Sequence, residues 1–142
     1  ESESVYRLKC QKFDFEETIN DLIKNSKYKK LKNVRICIHP NDNSKIQHMI
    51  IFHSKDYKVP IHRHCLKSEF LKINKGCCTY KNYQFLKGKF ILNNEIKLFV
   101  NSVIIIPKNE WHNFEIHEDI VFTEVSEGPF SSLSTQFANI NK

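Results

Sequence analysis

The stretch His62-Arg63-His64-Cys65-Leu66-Lys67-Ser68-Glu69-Phe70-Leu71-Lys72-Ile73-Asn74-Lys75-Gly76 decides how this chain is read. Successive side chains of a strand point to opposite faces. His62 and His64 therefore share one face, about 6.5 Å apart, near enough to reach a single metal ion. Further on, Glu69 has the parity of Leu71 and Ile73, while Phe70, Lys72 and Asn74 take the other face. In Pro107-Lys108-Asn109-Glu110-Trp111-His112, the last residue shares its face with Phe114 and Ile116. Both Glu69 and His112 thus point inward with apolar neighbours. An interior carboxylate and three interior imidazoles cost several kcal/mol if left unpaired, and a divalent cation compensates all of them at once.

Outward from this stretch the same period-two pattern continues. Segments rich in Val, Ile, Phe and Tyr predict strands at 34–39, 47–53, 61–65, 69–74, 79–85, 90–92, 95–100, 103–106, 111–116 and 120–125. Turn signals separate them at Pro40-Asn41-Asp42-Asn43, Lys75-Gly76, Lys87-Gly88, Asn93-Asn94 and Pro107-Lys108-Asn109. Many short strands with no helix between them argue for an antiparallel sandwich or barrel. The exception lies at the start. Ile19, Leu22 and Ile23 recur at helical spacing, with Asp14 as N-cap and Glu17 three residues on, as in a capping box. The expected organisation is one domain: residues 1–33 carrying a helix that packs on the barrel, and residues 34–142 forming the barrel.

Composition narrows the function classes. The 142 residues carry 22 Lys and Arg against 16 Asp and Glu, a formal charge of +6. Arginines stand only at 7, 35 and 63, and no recognition helix, zinc-finger spacing or aromatic-basic motif accompanies the lysines, which excludes a nucleic-acid reader. The densest run, Lys24, Lys27, Lys29, Lys30 and Lys32, follows Glu16, Glu17 and Asp21 and reads as a solvated helix end with its dipole complemented. The longest aliphatic run, Val103-Ile104-Ile105-Ile106, is far short of a membrane span. The acidic start Glu1-Ser2-Glu3-Ser4 is unlike a secretory leader, so a cytoplasmic protein is expected. Cys10, Cys37, Cys65, Cys77 and Cys78 form no Cys-x-x-Cys pair and read as free thiols.

The layout His62-x-His64-x4-Glu69-x6-Gly76 resembles the first motif of the cupin superfamily, and Pro107-x-Asn109-x-x-His112 the second. Asn109 stands in the usual glycine place, and Asn tolerates the left-handed conformation better than most residues. Ile116 replaces a common trailing asparagine without touching the ligands. More narrowly, the chain resembles the WbuC-like cupin fold metalloproteins, small proteins associated with surface-polysaccharide gene clusters. That likeness spans roughly residues 15–137. It rests on Arg35-x-Cys37-x-His39, Gln47-x-Met49, Pro60-x-His62-Arg63-His64, Lys67-Ser68-Glu69, Trp111-His112 and Glu124-x-x-Glu127-Gly128-Pro129-Phe130. It implies an all-β jelly-roll barrel, the cupin double-stranded β-helix, with one bound metal.

The expected ligands are His62, His64, Glu69 and His112. Iron, manganese, nickel, cobalt and zinc all suit this donor set. Around them, Glu124 is a second interior carboxylate, expected to pair with Arg35, a metal-bound water or a ligand N–H, and either orients a ligand or acts as base. His39 is a second candidate for moving a proton. Arg35, Lys67 and Tyr57 are candidates for substrate binding, while alternation sends Arg63 outward to a surface salt bridge. A site of this kind favours a small anionic or sugar-like ligand. The expected activity is Lewis-acid isomerase or epimerase chemistry on a sugar or sugar nucleotide. The alternatives are an iron-dependent dioxygenase and a non-enzymatic ligand-binding or sensor module. Exposed sheet edges also allow a homodimer.

Overall fold

The alternating segments build two facing sheets in the computed structural model, which describes residues 4–10 and 12–138. The chain order is β1 (Val5–Arg7), α1 (Phe15–Tyr28), β2 (Asn33–Cys37), β3 (Ile46–His53), β4 (His62–His64), β5 (Glu69–Lys75), β6 (Cys78–Leu86), β7 (Lys89–Leu98), β8 (Val103–Ile106), β9 (Trp111–Ile116), β10 (Ile120–Glu127) and β11 (Thr135–Phe137). One sheet has the order β1-β2-β3-β10-β5-β8 and the other β11-β4-β9-β6-β7. Every pairing is antiparallel except β1 with β2.

Parity makes the first sheet two-faced. On its inner side Leu71, Ile73, Ile120 and Phe122 meet Cys78, Tyr80 and Leu98 of the opposite sheet, forming the main core. On its outer side Val34, Ile50, Phe52 and Val121 are covered by Ile19 and Leu22 of α1. The helix begins as its capping chemistry dictates, with Asp14 Oδ1 accepting the Glu17 N–H at 2.8 Å. No helix among the described residues is long and apolar enough to cross a membrane. No disulfide joins the five cysteines.

Three local expectations require correction. Segments 90–92 and 95–100 are one strand, β7, and Asn93-Asn94 is no turn. The β6–β7 register slips between Asn82 and Tyr83, so the extra residue is accommodated as a bulge within the hairpin. Residues 1–33 supply a strand, β1, as well as the helix, and β11 adds a second strand that three-residue patterns are too short to announce. Conversely, Asn109 does take the left-handed conformation expected of it, at φ 66°. Gly76, at φ 78°, turns where a Cβ would lie 2.3 Å from the Asp119 carbonyl oxygen, which restricts this corner to glycine.

Candidate metal centre

The strand pairings bring the histidines together. Within the second sheet β4 lies beside β9 with His62 opposite His112. The Asn109 N–H donates to the His64 carbonyl at 2.8 Å, which anchors the β8–β9 turn against β4. The ring centroids are 4.3 Å apart for His62 and His112, 5.0 Å for His62 and His64, and 5.8 Å for His64 and His112. One ligand nitrogen from each ring lies within 4.8 Å of the others.

Each ring is oriented from behind. His62 Nδ1 lies 2.8 Å from the Pro60 carbonyl and His112 Nδ1 2.8 Å from the Glu110 carbonyl, so both Nδ1 atoms carry the proton and both Nε2 lone pairs face inward. His64 Nδ1 pairs with Thr135 Oγ1 at 3.0 Å. His112 is 1% exposed, and its Nε2 is buried with no hydrogen-bond partner. An acceptor sealed in this way beside two others of its kind fits a cation, because nothing else among the described residues satisfies it.

Glu69 comes from the opposite sheet. One carboxylate oxygen is 3.1 Å from His64 Nε2 and the other 3.9 Å from His112 Nε2. Burial and the neighbouring Glu124 carboxylate push its pKa upward, against the pull of Lys67. Burial, with Lys67 and the other imidazoles adding to it, holds His64 down to about 2; burial and His62 hold His112 down to about 3. The imidazoles are therefore neutral donors at physiological pH.

The surrounding residues differ from expectation in their partners. Glu124, 8% exposed, is bridged by Lys67 at 3.5 Å, not by Arg35. Lys67 also reaches Glu69 at 3.1 Å and Ser126 Oγ at 3.3 Å, so this residue, expected as a candidate for substrate binding, is a half-buried tie between two carboxylates. Arg63 points outward as parity requires, but it stacks 4.6 Å from the Trp111 ring centroid and donates to Gln136 at 2.9 Å instead of meeting a carboxylate. His39 has Nδ1 against the backbone N–H and carbonyl of His48, at 3.0 and 3.1 Å. Tyr57 Oη accepts from Asn33 Nδ2 at 3.2 Å. Sequence reading missed Thr135 and Ser126, both small hydroxyls without an apolar pattern of their own, although Ser126 has the parity of Glu124. All the expected site residues, Arg35, His39, Tyr57, His62, His64, Lys67, Glu69, His112 and Glu124, line one cavity of about 550 Å³.

Among known proteins, no family model matches the sequence and no curated protein matches it. Solved structures do match. A salicylate 1,2-dioxygenase mutant from Pseudoaminobacter salicylatoxidans in complex with gentisate gives a TM-score of 0.67 at 10% identity, covering 89% of this chain and 37% of that one. A cupin superfamily protein from Desulfitobacterium hafniense gives 0.54 at 10% identity, covering 68% and 78%. The fold is the cupin jelly roll. An oxalate decarboxylase from Lactobacillus farciminis gives 0.54 at 17% identity over 66% of this chain. This chain spans only 27% of that decarboxylase's length. These likenesses are to the fold.

Proposed function

We propose that this protein is a mononuclear metal-dependent enzyme acting on a small oxygen-rich substrate, with His62, His64, His112 and Glu69 holding the ion. The carrying observation is the sealed, unpartnered Nε2 of His112 among three neutral, pre-oriented imidazoles. Iron, manganese, nickel, cobalt and zinc all suit such ligands. When bound, a divalent ion supplies Lewis-acid polarisation of a substrate oxygen.

The chain's own residues do the rest. Lys67 holds Glu124 at the cavity wall and partly offsets the charge of the carboxylate pair. Glu124 is the group that moves a proton to or from a carbon next to the polarised oxygen, which is isomerase or epimerase chemistry. Resemblance to the WbuC-like cupins favours a sugar or sugar nucleotide of surface-polysaccharide synthesis, a cytoplasmic setting for that work, and a homodimer.

Elemental analysis of untagged wild-type, His64→Ala and Lys30→Ala proteins tests this reading. Near-stoichiometric metal is expected in the wild type and in Lys30→Ala, and none in His64→Ala, with its far-ultraviolet circular dichroism unchanged. Equal metal in the His64 variant would sink the assignment. Iron that cycles with oxygen uptake would select the dioxygenase reading instead. Tight ligand binding without turnover would select a sensor.

A further inference from the structure

The cavity continues past the metal centre along the inner face of β2 and β3. Three lysine or arginine side chains line it, and two are committed. Arg7 meets Asp42 Oδ1 at 2.6 Å and donates to the His39 carbonyl at 2.6 Å. Lys67 is held between Glu69 and Glu124. The Arg35 guanidinium is half-buried and makes neither a hydrogen bond nor an ion pair among the described residues, although the backbone N–H donates to the Ser4 carbonyl at 2.9 Å. A guanidinium withdrawn from water without a carboxylate is costly, and that cost is recovered when an anion arrives.

Next to it stands an imidazole in the same condition. In the β2–β3 register Arg35 faces Ile51 and Asn33 faces His53, which makes Arg35 and His53 diagonal neighbours on one face, roughly 7 Å apart. His53 is 7% exposed and lines the cavity, and among the described residues its buried Nδ1 has no partner and its Nε2 no hydrogen bond. Its ring is wedged between Tyr57, 4.6 Å away, and Phe122, 5.2 Å away, so its plane is set although its nitrogens are unused. Asn33 Oδ1 beside it is also buried and unpartnered. Arg35 acts electrostatically on both His53 and His64, which places this end of the cavity next to the metal centre. Native proteins seldom leave polar atoms unsatisfied in one place unless something binds there; an oxyanion answers the guanidinium and an imidazole N–H, and a hydroxyl of the same ligand answers the Asn33 Oδ1 acceptor.

We infer that Arg35 and His53, with the Tyr57 hydroxyl beside them, form an oxyanion subsite that seats the carboxylate or phosphate of a ligand whose other end reaches the metal centre. The inference rests on the reading of that centre as the reactive end. A guanidinium fork takes two oxygens of such a group side by side, and the imidazole Nε2–H takes a third contact. The substrate class is then a hydroxylated carbon skeleton with one charged substituent, a sugar acid or a sugar phosphate. The cavity has room for a hexose with that substituent.

Calorimetric titration of the metal-loaded full chain with glucuronate, glucose 6-phosphate and neutral glucose tests this, with metal content measured on the same samples. At least one oxyanion is expected to bind about tenfold or more tighter than glucose, and which one does so identifies a carboxylate or a phosphate ligand. Arg35→Gln and His53→Gln are expected to abolish most of that preference while metal content stays at the wild-type value. An Arg35→Gln protein that binds the oxyanion as the wild type does, or a wild type that does not prefer oxyanions, overturns the subsite and leaves the metal centre standing. A wild type without metal overturns the metal reading instead, and inorganic phosphate titrated into that metal-free protein still tests Arg35. Should Arg35→Gln fail to fold, Arg35→Lys keeps the charge without the fork and is expected to lose most of the preference. The wild type itself offers a further check, since phosphate is expected to shift the His53 ring resonances and leave those of His117 unmoved.

Discussion

At the candidate metal centre His62 and His112 each donate Nδ1–H to a backbone carbonyl and His64 pairs with Thr135, whereas His53, facing the same cavity, has neither ring nitrogen bonded among the described residues. His53, His64 and His112 are buried and His62 half-buried, and burial lowers the pKa of all four, but only the first group is oriented by hydrogen bonds. A metal ion tolerates little angular error, so its ligands need partners behind them. An oxyanion contacted by a guanidinium and an imidazole brings its own acceptors, and rings held by packing alone suffice to receive it.

The largest expected effect on this contrast is that of acid. Burial, and for His53 the charge of Arg35, holds His53, His64 and His112 at about 3, 2 and 3, below the ordinary 6.5. Groups depressed in the folded state contribute stability above pH 6.5 and lose it as pH falls toward those values. Metal-free protein should therefore lose several kcal/mol between pH 6.5 and 3, at about 1.4 kcal/mol for each tenfold change in proton affinity. Metal-loaded protein should resist to lower pH, because His64 and His112 are then held as ligands and His53 alone is left to protonate. Chemical denaturation of both forms across this range measures the gap, and superimposable acid limbs would erase the distinction between the two groups.

A smaller effect is expected from Thr135→Val, which removes the partner of His64 Nδ1 and keeps the shape. Metal affinity should fall by roughly ten- to a hundredfold with the fold intact, as is usual when a ligand loses its outer partner. Competition with a fluorescent chelator reads this, and an unchanged affinity would mean that Thr135 does not orient the ring. The smallest effect is expected from His53→Phe. Replacing an unpartnered buried imidazole by a ring of similar shape should leave thermal stability unchanged or raise it by up to about 1 kcal/mol. A loss of several kcal/mol would show that His53 is a structural residue after all.

Much of the centre is legible before any coordinates, since parity on a strand is a two-valued property. It places Glu69 with Leu71 and His112 with Phe114 on the interior side, and the structure buries Glu69 and His112 accordingly. Helix α1 is equally legible because capping and periodicity agree at Asp14 and Ile19. Partners are another matter. Parity sends Glu124 inward without saying that Lys67 will meet it, because Lys67 lies in the irregular link between β4 and β5, where alternation gives no direction. Strand β11 is hidden for a related reason. Its three residues gain their place from pairing with β4 across the sheet, a distant contact that no local pattern encodes. The Asn93-Asn94 pair misleads in the opposite sense, since residues suited to a turn also suit a bulge.

The two leaves of this sandwich are joined by loops and by side-chain contact, and the donor set straddles the gap between them: three imidazoles from the β4–β9 leaf, one carboxylate from β5 on the other. An ion gripped from both sides would be a reversible crosslink. It would tie together parts of the chain that are distant in sequence, and because it would bind the assembled donor set and not the dispersed one, its binding free energy would add to the stability of the fold. The same atom that activates the substrate would thereby serve this cysteine-bearing but disulfide-free chain as its staple.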